Sequence, residues 1–245
     1  MLRALVLDLD GTIVDTETAI FRAWEEVYRR RGARLPQEEW LKAVGSSQAR
    51  FDPVAYLAHQ LGQAVDRAQV EVEADALAAH EVRQLGPRPG GVELVHAAQA
   101  EQLLLAVASS SPRAWVDARL EQVGLAGAIP VRATADDVAQ VKPAPDLFLE
   151  AARRLGIEPA QALVVEDSVH GARAALAAGM RCVVVPNPVT EGEAFPQGVA
   201  VLPSLVGWTP QALWTLACEA WESQEAKGFT MGEDREARAR GPGAG

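Results

Sequence analysis

The sequence predicts an α/β fold, a doubly wound, Rossmann-like parallel sheet with a small all-helical domain inserted near its start. Three observations predict it. Short runs of Leu and Val end abruptly in polar residues, helical patterns of ten to twelve residues separate them, and one stretch of about 70 residues holds only helical patterns. Continuous apolar runs of this length are what strands buried on both faces of a parallel sheet need. Alternation with helices gives the βα rhythm of an open, doubly wound sheet.

The first run, residues 4–10, is Ala-Leu-Val-Leu-Asp-Leu-Asp, a strand that ends in carboxylates rather than in a turn. Residues 16–86 follow with amphipathic patterns over 18–31, 37–44, 53–61 and 67–85, an expected helical cap domain. The Gly-Pro-Arg-Pro-Gly-Gly at 86–91 reads as the linker back to the core, because Pro and Gly interrupt regular structure. Helical patterns then cover 91–100, 112–123, 145–155 and 168–178, the last three each followed by Gly. Apolar runs at 103–108, 162–165 and 182–185 complete the sheet. The expected core is therefore 1–15 with 87–221. The polar segment 222–245, ending Arg-Gly-Pro-Gly-Ala-Gly, reads as a disordered tail.

With 245 residues and 49% hydrophobic content, the chain can bury a sizeable core. Its formal net charge of -10 argues against a nonspecific nucleic-acid binder, but not against a small anionic substrate in a locally positive cleft. No stretch reaches about 18 uninterrupted apolar residues, so no membrane span is expected. The N-terminal residues reach acidic positions too soon for the apolar core of a signal peptide, and the cytoplasm is the expected compartment. Cys182 and Cys218 are expected to be free thiols.

Ligands of open α/β sheets bind beyond the carboxyl ends of the strands. Asp8 and Asp10 follow the first run, Ser109-Ser110-Ser111 the second, and Glu166-Asp167-Ser168 the third, while Lys142 stands between the last two. Two carboxylates about 4 Å apart repel by about 4 kcal/mol at an effective dielectric near 20, so such a group calls for a hard cation. Mg²⁺ takes a few carboxylate oxygens, keeps several waters and leaves positions for phosphate. A carboxylate nucleophile, a lysine and hydroxyl donors around that ion suit phosphoryl transfer.

These residues resemble the four motifs of the haloacid dehalogenase superfamily: Asp8-Leu9-Asp10-Gly11-Thr12, Ser109, Lys142 and Glu166-Asp167. The resemblance implies that Asp8 is phosphorylated and that Asp10 is the acid/base, its backbone carbonyl also binding Mg²⁺. It implies that Ser109 and Lys142 hold the phosphoryl group and that Glu166 and Asp167 anchor the metal. Thr12 and Ser110 are expected to add phosphate contacts, and the metal set is expected to be Asp8, Asp10, Glu166 and Asp167. The helical insert resembles the family's subclass I cap, where the polar loop Gly45–Arg50 would place Ser46, Ser47 and Arg50 against substrate.

The implied activity is hydrolysis of a small phosphate ester, such as a sugar or nucleotide phosphate, by a monomer or weak homodimer. Asp15-Thr16-Glu17 and Phe21-Arg22-Ala23-Trp24 also resemble β-phosphoglucomutase, which makes a phosphosugar mutase the first alternative. Ile20 stands where that mutase carries a histidine, which favours hydrolysis. A non-catalytic phosphometabolite-binding protein on the same fold is the second alternative.

Overall fold

A computed structural model describes residues 1–42 and 51–239, with residues 225–239 described as backbone. The strands are β1 (Ala4–Leu7), β2 (Leu104–Ala108), β3 (Val131–Ala133), β4 (Ala162–Glu166), β5 (Arg181–Val184) and β6 (Ala200–Val201). They form one sheet in the order β3-β2-β1-β4-β5-β6, every pair parallel. The chain leaves the central strand β1 in one direction and returns through β4 in the other. The crevice at that reversal is where such sheets bind ligands.

Alternation along each strand explains the layers. Leu5, Leu7, Leu105, Val107, Leu163, Val165 and Val183 face one side. There they pack on α5 (Gly91–Ala100), α6 (Arg113–Gln122) and α9 (Pro210–Ala239). Ala4, Val6, Ala106, Ala108, Val164, Cys182 and Val184 face the other, against α7 (Asp146–Leu155) and α8 (Val169–Ala177). Apolar residues on both faces are what the uninterrupted Leu/Val runs required.

The inserted segment holds α1 (Thr16–Arg30), α2 (Gln37–Trp40), α3 (Pro53–Leu61) and α4 (Arg67–Val82). Phe21, Tyr28, Trp40, Phe51, Leu57 and Val70 build a separate apolar cluster there. Asp15 and Asp52 cap α1 and α3 by accepting from backbone N–H groups of their first turns. Val189, from the loop after β5, enters this same cluster, and Gln37 donates to the carbonyl of Val189 at 2.6 Å. No helix among the described residues is long and apolar enough to cross a membrane.

Three details differ from the sequence reading. β3 and β6 are additional strands, of three and two residues, too short to show a period. The first strand stops at Leu7 instead of residue 10, and the chain turns beyond it at Gly11, whose φ is +85°. Helical backbone continues through 222–239, where a disordered tail was expected. Ala, Glu, Gln, Lys and Arg dominate that segment, and all are strong helix formers.

Candidate active site

The carboxyl ends of β1, β2 and β4 bring the sequence-predicted residues together. Backbone pairing sets the register: the Asp8 amide donates to the carbonyl of Val165, and the Ser109 amide to that of Ala133. Asp8, Thr12, Ser109, Lys142, Glu166 and Asp167 are all buried.

Lys142 is the electrostatic centre. Its Nζ donates to Oδ1 of Asp8, to Oε1 of Glu166 at 2.6 Å and to the Ala108 carbonyl at 2.8 Å. The Lys142-Pro143 peptide is cis. Burial alone would push the lysine pKa down. The negative charges of Asp8 and Glu166 outweigh that and hold the ammonium above the ordinary lysine range.

Asp8, Glu166 and Asp167 form a compact acidic group, with one carboxylate oxygen from each lying within 4.8 Å of the others. Burial pushes Asp8 up to about 7; Lys142 opposes the shift, while Glu166 and Asp10 add to it. Asp167 is held well above its usual range by burial, then by Glu166, Asp8 and Glu17. Three buried carboxylates against one ammonium leave the site short of positive charge. Oδ2 of Asp8 is also buried without a hydrogen-bond partner. An orphan carboxylate oxygen inside an acidic trio fits the donor set of a hard divalent cation.

The surroundings fix these acids. Glu166 Oε2 accepts from the amides of Asp167 and Ser168 at 3.1 and 3.2 Å and from the Ser168 hydroxyl at 3.1 Å. Ser168 Oγ in turn accepts from the Gly171 amide at 3.0 Å, capping α8. Asp167 Oδ2 accepts from Asn187 Nδ2 at 2.6 Å, and its Oδ1 accepts from Thr12 Oγ1 at 3.4 Å. Two glycines are required by close approach. A Cβ at Gly11 would lie 2.1 Å from Asp167 Oδ2, and one at Gly171 would lie 1.9 Å from the Glu166 carboxylate.

Asp10 stands outside the acidic trio. Its oxygens accept from Thr16, Trp115, Ser109 and Ser111, which leaves its backbone carbonyl for the metal contact that the resemblance implies. Ser110 Oγ is buried without a hydrogen-bond partner. Thr12, expected at phosphate, turns its hydroxyl to Asp167 instead. Ser46, Ser47 and Arg50 lie outside the described residues.

Sequence reasoning missed four participants. Asn187 follows the β5 run and could have been found by the same strand-end rule. Glu17, pushed up to about 8 by burial and by Asp10, Asp8, Asp15 and Glu166, faces the acids from the first turn of α1. Arg88, in the return linker, donates to the carbonyls of Gly11, Val185 and Pro186, tying the loop after β1 to the loop after β5. Trp115 donates to Asp10 across 105 residues of chain, a contact that no local pattern announces.

The family model of haloacid dehalogenase-like hydrolases matches residues 5–185. The chain belongs to that family. YhcW of Bacillus subtilis, provisionally named a phosphatase, is 41% identical over 190 residues, 78% of this chain and 86% of the relative. Fructose-1-phosphate phosphatase YqaB of Escherichia coli (strain K12) is 34% identical over 183 residues, 74% and 95% of the two chains. The crystal structure of a CbbY mutant from Rhodobacter sphaeroides with xylulose-(1,5)bisphosphate superimposes with a TM-score of 0.69 at 26% identity, covering 87% of this chain and 99% of that one. Members of the family with these names are phosphatases, and the chain is an enzyme of that kind. The acidic group of Asp8, Glu166 and Asp167 could hold the metal that such enzymes generally use.

Proposed function

We propose that the chain is a magnesium-dependent phosphomonoester hydrolase of small sugar phosphates that works through a phosphorylated Asp8. The observation that carries this reading is the buried Asp8 carboxylate. One of its oxygens is held by Lys142, and the other is unpartnered among Glu166 and Asp167. Mg²⁺, held by Asp8, Glu166, Asp167 and the Asp10 carbonyl, would supply the positive charge that lets a phosphate dianion approach these acids.

Asp8 attacks phosphorus as the ester P–O bond breaks. Asp10 gives its proton to the leaving oxygen, so a neutral alcohol departs. Lys142 and the Ser109 and Ser110 hydroxyls hold the equatorial oxygens, where charge spreads in the transition state. Asp10 then takes a proton from water, the hydroxide attacks phosphorus, and Asp8 is regenerated with release of inorganic phosphate. Sugar phosphates are favoured because relatives carry names that specify fructose 1-phosphate and validoxylamine A 7'-phosphate.

Release of inorganic phosphate from a panel of sugar and nucleotide monophosphates, with Mg²⁺ and with Asp8→Asn as control, tests the assignment. Turnover by wild type and none by the variant is the expected result. Activity retained in Asp8→Asn would take the nucleophile's role away from Asp8. Conversion of β-glucose 1-phosphate to glucose 6-phosphate without free phosphate would make the enzyme a mutase. Ile20, which packs on the apolar cluster of the helical segment, supports hydrolysis, since it offers no imidazole to hold Asp10 back.

A further inference from the structure

The Asp10 carboxylate has every acceptor direction occupied. Oδ1 accepts from Thr16 Oγ1 at 2.7 Å and from Trp115 Nε1 at 2.8 Å. Oδ2 accepts from Ser111 Oγ at 2.7 Å and from Ser109 Oγ at 3.3 Å. A carboxylate offers about four lone-pair sites, so these four donors fill it.

The four donors are not equivalent. Thr16, Ser109 and Ser111 carry hydroxyls, which can rotate to accept a hydrogen bond as readily as to donate one. The Trp115 indole N–H can only donate. Its ring is also fixed in place. The neighbouring Val116 and Leu120 are buried in the core, the half-buried ring packs on the same cluster, and the Arg119 guanidinium lies 4.8 Å above it. When a carboxylic acid is protonated, its carbonyl oxygen is the better acceptor. A fixed, donor-only partner on Oδ1 therefore sets the orientation of the carboxylate, while both partners of Oδ2 are hydroxyls that can turn. Ser109 and Ser111 can thus free Oδ2 for a ligand, whereas Trp115 keeps its hold on Oδ1.

Resting on the hydrolase reading above, we propose that Trp115 is a positioning residue for the reaction: its indole N–H orients the acid/base Asp10 so that Oδ2, on the Ser109 side, exchanges protons with the leaving oxygen. A purely structural alternative is that the indole merely finds a partner where it is half-buried, as tryptophan N–H groups usually do. The two differ in which substrates suffer when the N–H is removed. An alkyl ester leaves as an alkoxide and needs a proton, whereas p-nitrophenolate leaves readily without one.

The test compares wild type and Trp115→Phe, full chain with Mg²⁺, on fructose 1-phosphate and on p-nitrophenyl phosphate. The quantity read is kcat/KM, which reports the steps through formation of the phosphoenzyme. The sugar ester should lose about tenfold, a fraction of the 10²–10⁴ that general acid catalysis contributes as a whole. The aryl ester should lose less than about threefold. Trp115→His, whose ring also bears an N–H, should recover part of the sugar-ester rate. Should Trp115→Phe melt below the assay temperature, Trp115→His against Trp115→Leu gives the same ratio. Equal losses on both esters, or no loss on either, overturn the positioning role while leaving the hydrolase reading intact. A wild-type enzyme that hydrolyses neither ester overturns both.

Discussion

Nζ of Lys142 donates to Oε1 of Glu166 at 2.6 Å, with both groups shut away from water. The lysine thus serves the fold and the chemistry at once. Lys142→Met should destabilise the protein by about 3–5 kcal/mol, because it leaves buried carboxylates uncompensated. It should also cut kcat by at least about 100-fold through loss of charge stabilisation. Urea unfolding and steady-state phosphate release read the two effects separately.

Metal removal should act on stability as well as on turnover. A chelator is expected to abolish phosphate release. Adding Mg²⁺ at about 100 times its Kd should stabilise the fold by about 2.7 kcal/mol. Asp167→Asn should shrink that stabilisation, as followed by the thermal midpoint against Mg²⁺ concentration.

Gly171 leaves no room for a methyl group beside Glu166. Gly171→Ala should cost about 1–3 kcal/mol by overpacking, even though alanine favours helices. The displaced Glu166 carboxylate should also weaken Mg²⁺ binding, measurable by calorimetric titration. An alanine variant as stable as wild type, with equal metal affinity, would contradict the close approach.

Asp137, just after β3, contributes to the stability lost at low pH. Burial alone would raise its pKa, but hydrogen bonds from Arg154, Thr134 and Arg113 outweigh that and hold it well below the ordinary carboxylate range. A group depressed in the folded state adds stability above its unfolded value, about 3.9, and loses it as pH falls through the folded value. Asp137→Asn should therefore cost about 1–3 kcal/mol at pH 7, and that difference should shrink steadily below about pH 4. Urea unfolding of both proteins between pH 3 and pH 7, as about eight points, checks the trend.

Much of the site could be read in the sequence because its chemistry sits directly after the strands. Asp8, Ser109, Glu166 and Asp167 each follow an apolar run whose burial on both faces makes it conspicuous. Lys142 stood out by its place between two such runs. Contacts that depend on packing across the fold were invisible. Trp115 reaches Asp10 only once α6 is docked on the sheet, and Arg88 finds three carbonyls that belong to two separate loops. The strands β3 and β6 were hidden by brevity. Residues 222–239 are polar enough to suggest disorder, while the helix formers among them suit the helical backbone that α9 describes.

The loop after β5 grips two masters. Asn187 holds Asp167 at 2.6 Å, and two residues later Val189 is sunk among the aromatic side chains of the inserted helices. The inserted helices are therefore tied to the acidic group through one loop. A shift of those helices would either pull Val189 from its apolar seat or draw on the loop that holds Asp167.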